Sequence, residues 1–138
     1  MSTEPPAPQG DYVPGVRNDG VVYTAGMTPR RDGVLTVTGV VGATVTLERA
    51  VEAAGLAASN ALAALLSMAP RQTVRCLRMT VYVACAPGFT ELSAVADGAS
   101  ATITERLGAD ALPARSAIGV LALPAGAPVE VELTAAVR

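Results

Sequence analysis

A chain of 138 residues, 51% hydrophobic and only 16% charged, has room for one core and little polar surface to cover it. Its mean hydropathy of +0.42 points to self-association, because apolar surface beyond an ordinary patch is usually buried in an interface. A net charge of −2, no histidine, and arginine at all ten basic positions argue against a general nucleic-acid binder, against zinc, and against chemistry run from a histidine or lysine. Proton transfer is left to a carboxylate, a tyrosine, a cysteine or water. No apolar run approaches the roughly 18 residues of a membrane span, and MSTEPPAPQG lacks the basic start and apolar stretch of a signal peptide. The expectation is a cytoplasmic protein with neither membrane nor nucleic acid as partner.

Residues 1–10 are proline-rich and polar and read as a flexible tail, which leaves 11–138 as a single domain. VVYTAG (21–26) and VLTVTG (34–39) are β-rich runs, and MTPRRDG between them predicts that they pair as a hairpin. From Leu47 the period changes. Leu47, Val51, Ala54, Ala58, Leu62 and Leu65 recur at helical spacing behind a capping Thr46, predicting a long helix to about Met68; Gly55 leaves a two-helix reading open. Val74 to Cys85 reads as a strand. Nine residues of extended chain separate Cys76 from Cys85, about 30 Å, so both are expected to be free thiols, as in a reducing compartment. A second helix starts near Thr90, with Leu92, Val95, Ala99, Ile103 and Leu107 on one face, and ends by Gly108. SAIGVLAL (116–123), the turn PAGAP and VEVELTAAVR (129–138) follow. The fold class is α+β: a single mixed β-sheet with two helices packed on one face.

In the last strand Val129, Val131, Leu133 and Ala135 alternate with Glu130, Glu132 and Thr134, so one face is core and the other carries two carboxylates. SAIGVLAL is apolar on both faces, as in a central strand or one covered by another subunit, yet LPARSAIGV puts Arg115 at its mouth. Hairpin pairing of these two strands would set Arg115 opposite residue 137, leaving it more than about 15 Å from Glu130. A site shared by the two must then draw on two subunits. The bland alternative pairs Arg115 with a nearby acid such as Asp110 and takes the Val-Glu strand as a half-exposed edge. Arg30 with Arg31, and Arg71, Arg75 and Arg78, read as solvated surface. Ser93, Ser116 and Thr24 have no base to activate them, and Cys85 has no evident positive neighbour. Tyr12 either lines a pocket or anchors the N-terminal segment.

The order of elements, with GDYVPGV (10–16), VVYTAGMTP (21–29), TVYV (80–83) and PARSAIGVLALPAGAPVEVE (113–132), resembles the RidA/YjgF family of imine and enamine deaminases over nearly the whole chain. The resemblance implies a chorismate-mutase-like sheet with two helices on one face, a homotrimer with sites in clefts between subunits, and no cofactor, metal or organic. It implies hydrolysis of reactive 2-enamines and 2-imines to 2-keto acids and ammonia. By position, Arg115 would grip the substrate carboxylate with two parallel charge-assisted hydrogen bonds, which lysine could not copy. Glu130 would orient or activate the attacking water, Tyr12 would form pocket wall, and Gly26 would line the cleft. Three departures stand out: Ala117 replaces the cysteine common two residues after the arginine, where the backbone carbonyl is thought to act; AGMT stands for an SGQ-like segment; and 88–110 is longer than in the deaminases. A small-carboxylate or 2-keto acid binding protein without turnover, and a tailoring enzyme for a larger imine, therefore remain open. An endoribonuclease reading finds little support in a chain with no histidine or lysine.

Overall fold

A computed structural model describes residues 4–138, so Met1 to Thr3 of the expected tail lie outside the described residues. Asp19 and Gly20 take φ of 48° and 76°, and Asp32 and Gly33 take 53° and 81°. Left-handed φ at both central residues marks the two-residue turn whose twist suits a hairpin. The first pair joins β1 (Gly15–Asn18) to β2 (Val21–Thr24); the second joins β3 (Arg30–Arg31) to β4 (Val34–Leu35). The hairpin predicted between 21–26 and 34–39 is thereby corrected. An Asp-Gly pair stands directly before each run, so each folds back on the residues just upstream of it.

Thr46 caps α1 (Leu47–Ser67), its Oγ1 accepting from the Arg49 amide at 3.2 Å, and the helix runs unbroken through Gly55. By length and composition α1 is apolar enough to cross a membrane, contrary to the expectation from sequence, but 61% of its apolar window is buried within the protein. It is the core helix. α2 (Leu92–Leu107) lies against it where Gly55 and Gly98 remove side chains from the contact, and Thr102 Oγ1 donates to the Gly55 carbonyl at 3.1 Å.

The remaining strands are β5 (Val74–Ala84), β6 (Ala114–Val120) and β7 (Val129–Val137), in the sheet order β1-β2-β7-β5-β6. β5 and β6 are parallel, as strands joined through a crossover helix must be, and every other pairing is antiparallel. β6 and β7 are therefore not hairpin partners: β5 lies between them. Nor is β6 central. It forms an edge of the sheet, with Ile118 42% and Leu121 just beyond it 95% exposed. The helices cover one face, where Met79, Val81, Val83, Val131 and Leu133 meet Leu62, Leu65, Val95 and Ile103. Side chains alternate across each strand, so Tyr23, Tyr82, Glu130 and Glu132 emerge on the opposite, uncovered face.

Candidate functional site

The ladder between β2 and β7 breaks after the pair Tyr23 and Thr134 and resumes at the bridge between Met27 and Val131. Thr24, Ala25 and Gly26 thus face only Glu132 and Leu133, an extra residue that makes a β-bulge. Thr24 Oγ1 accepts from the Leu133 amide at 3.0 Å, and the Ala25 amide donates to the Pro14 carbonyl at 2.8 Å, so the bulge is held from both sides. Its consequence is contact between Gly26 and the Glu130 side chain. A Cβ at position 26 would lie 2.6 Å from Glu130 Cδ and 2.8 Å from its Oε1, so only glycine leaves this carboxylate in place. Around the pair opens a pocket of about 340 Å³, lined by Gln9, Tyr12, Ala25, Gly26, Pro124 and Glu130. The N-terminal segment forms one wall, with the Gln9 backbone N–H donating to the Tyr12 hydroxyl at 3.1 Å.

Two carboxylates on β7 have different surroundings. Glu132 accepts a hydrogen bond at 2.8 Å from the Tyr82 hydroxyl, and that bond pushes the phenol's pKa up. Glu130 is half-buried, and no hydrogen bond or ion pair among the described residues engages its carboxylate. Burial, and then the neighbouring charge of Glu132, raise its pKa above the ordinary carboxylate value. An unpaired carboxyl of raised proton affinity at a pocket wall is suited to accepting a proton from water and returning it.

Arg115 lies elsewhere. It pairs with Met79 while Glu130 pairs with Tyr82, so the two are offset by three residues and two strands, about 10 Å in each direction. Sharing the register of Met79, Arg115 also points to the helix-covered face, away from Glu130. Its Nη1 donates to Asp97 Oδ1 at 2.8 Å and to Ser100 Oγ at 2.9 Å; its Nη2 donates to Ser93 Oγ at 2.7 Å and to the Ser93 carbonyl at 3.3 Å. The acid beside it is Asp97 and not Asp110, because α2, rather than the turn after it, packs over this end of β6. Ala117 lies level with Val81 and packs against the core. The chain therefore brings Tyr12, Gly26 and Glu130 together and leaves Arg115 and Ala117 on the far side of β5.

Sequence reasoning missed Gln9 and Pro124, which nothing in their local pattern marks. It set Ser93 aside for want of a base and missed Asp97 and Ser100, although the spacing of four and three places all three on one stripe of α2. Arg75 and Arg78 are exposed, as a solvated surface requires, and each is also tied: Arg75 donates to the Cys76 and Ala111 carbonyls at 2.8 and 2.9 Å, and Arg78 donates to Ser116. Cys76 and Cys85 are free thiols, Cys76 buried with its pKa raised by that burial. A second pocket of about 390 Å³, bordered by residues of 38–40 and 121–127, has no titratable side chain in its wall.

Comparison with known proteins matches residues 2–137 to the family described as Endoribonuclease L-PSP. Protein TCP17 of Trypanosoma cruzi is 35% identical over 130 residues, covering 91% of this chain and 81% of its own. The Agrobacterium tumefaciens protein Atu1372, of unknown function, superposes with a TM-score of 0.89 at 33% identity, over 95% of this chain and 85% of its own. A Shewanella oneidensis protein gives the same TM-score of 0.89 at 26% identity, over 96% and 89% of the two chains. A match along the whole sheet-and-helix frame, with Glu130, Gly26 and Tyr12 gathered in one pocket of it, leaves a single conclusion: the chain belongs to the endoribonuclease L-PSP family, that of YjgF and RidA.

Proposed function

We propose that the protein hydrolyses reactive 2-imino acids and their enamine tautomers to 2-keto acids and ammonia, in clefts of a homotrimer where two copies of the chain meet. The observation that carries this reading is Glu130, a half-buried, unpaired carboxylate of raised pKa set against Gly26 in a pocket sized for a small acid. Water, positioned by Glu130, adds to the imine carbon as its proton passes to the carboxylate. That proton then goes to nitrogen, and as the resulting carbinolamine collapses its hydroxyl proton follows by way of Glu130, so that ammonia leaves as the carbonyl forms. An imine is already electrophilic, so positioning and one proton shuttle suffice. Arg115 is proposed to grip the substrate carboxylate from the neighbouring copy, because within one chain it lies on the opposite face of the sheet from Glu130. The uncovered sheet face, with Tyr23 52% and Ile118 42% exposed, supports the assembly such a site requires.

The test generates 2-iminobutyrate in place with an amino-acid oxidase and lets semicarbazide compete for it. Wild-type protein is expected to suppress trapping and Arg115→Ala is not. If 2-ketobutyrate binds in an Arg115-dependent manner while trapping is unaffected, the protein is a carboxylate-binding member without turnover on this imine.

A further inference from the structure

The guanidinium assigned to the substrate carboxylate already holds a carboxylate. Both terminal nitrogens of Arg115 are engaged, and an incoming acid cannot make two parallel hydrogen bonds to them without displacing a present acceptor. The three side chains it meets differ in how they respond. Ser93 and Ser100 accept from the arginine through hydroxyls that keep a proton of their own, so each can turn that proton toward an arriving oxygen. Asp97 is an acceptor only and competes for the same donors. It is also the partner easiest to move, with a side chain 69% exposed beside an arginine side chain that is 22% exposed, and among the described residues its side chain is held by the 2.8 Å contact to Nη1.

From this arrangement we infer that Asp97 is a built-in competitor for the carboxylate subsite, and that Ser93, Ser100 and Arg115 together form that subsite once Asp97 swings out to solvent. The inference rests on the proposed role of Arg115 and adds to it the residues that set affinity. Two consequences follow for ligand choice. A ligand must carry a carboxylate strong enough to replace an ion pair, so neutral imines and amides gain nothing from this end of the cleft. In the absence of ligand the guanidinium is neutralised, which keeps adventitious anions out.

The experiment measures binding of 2-ketobutyrate and of its neutral amide by calorimetry to the wild-type protein, Asp97→Asn, Asp97→Ala and Arg115→Ala. Position 97 is exposed, and thermal melts confirm that each variant is folded. Both Asp97 variants are expected to bind the keto acid about tenfold more tightly, with no gain for the amide, and Arg115→Ala is expected to lose keto-acid binding. In turnover, Asp97→Asn lowers KM for the imino acid with kcat little changed, a split that a purely structural tie would not produce. Unchanged or weaker keto-acid binding in both Asp97 variants, with binding still lost in Arg115→Ala, would overturn the inference while leaving the proposed function standing. If Arg115→Ala binds like wild type, or no protein binds, the carboxylate grip itself fails and the inference falls with it.

Discussion

Glu130→Gln is expected to lower kcat for imine hydrolysis by about 10²–10⁴-fold, the range general acid–base groups contribute. Glutamine keeps the size and most of the packing against Gly26 but cannot take a proton from water. The pH profile supplies a second reading. Because burial and Glu132 raise the Glu130 pKa, the acid limb of wild-type activity should lie above the ordinary carboxylate value of 4.5, and this limb should vanish from the residual activity of the variant. Stability moves in the opposite sense. Between the ordinary and raised values the folded state holds a proton that the unfolded chain has released, so wild-type stability falls as pH rises through that window. Glu130→Gln removes this loss, and its Tm should exceed that of wild type at pH 7, with the difference closing below pH 4.5. A variant both slower and more stable is the pattern of a carboxylate kept for chemistry. A variant slower and less stable would mean that Glu130 holds structure.

Gly98→Ala should be the most damaging single-methyl change in the chain. A Cβ there would sit 2.1 Å from the Val51 carbonyl oxygen and 2.9 Å from its carbon, both backbone atoms of α1 that cannot rotate aside. The helices must separate along their contact. Overpacking of this kind costs about 3 kcal/mol, which outweighs the gain of about 1 kcal/mol from placing alanine in a helix. For a chain of this size that net loss of about 2 kcal/mol should lower the Tm by about 7 °C, read in a thermal melt. Arg115-dependent ligand binding should weaken as well, since α2 carries Ser93, Asp97 and Ser100. A melt within a degree or two of wild type would show that the α1–α2 approach is looser than this geometry.

Both helices were legible because their periodicity is local: the residues that repeat every three or four are the residues that pack. The alternation that put Glu130 on the face opposite Val129 and Val131 was equally local. Strand neighbours were not. Whether β7 pairs with β6 or with the far edge of β5 depends on the β5-α2-β6 crossover claiming one side of β5 first, and no short-range signal in PAGAP records that. The same error lay behind the hairpin across 27–33, where the Asp19-Gly20 pair outcompetes the longer connection. The bulge at Thr24 to Gly26 exists only once β2 and β7 are paired, so the contact between Gly26 and Glu130 could come from resemblance but not from pattern. Arg115 shows the limit most clearly. Its position at the head of a strand was plain from the sequence, whereas its direction, toward α2 and Asp97, follows from register with Met79.

That direction makes the two-copy site the central claim, and subunit mixing tests it most directly. Arg115→Ala and Glu130→Gln are each expected to keep no more than about 1% of wild-type activity alone. Unfolded together in equal amounts and refolded, they should form mixed oligomers in which about one interface in four joins an intact Arg115 to an intact Glu130, restoring about a quarter of wild-type activity. Mixed oligomers, verified by native mass spectrometry, that remain as inactive as their parents would contradict the account: Arg115 and Glu130 would not meet across an interface, and the proposed site would be wrong.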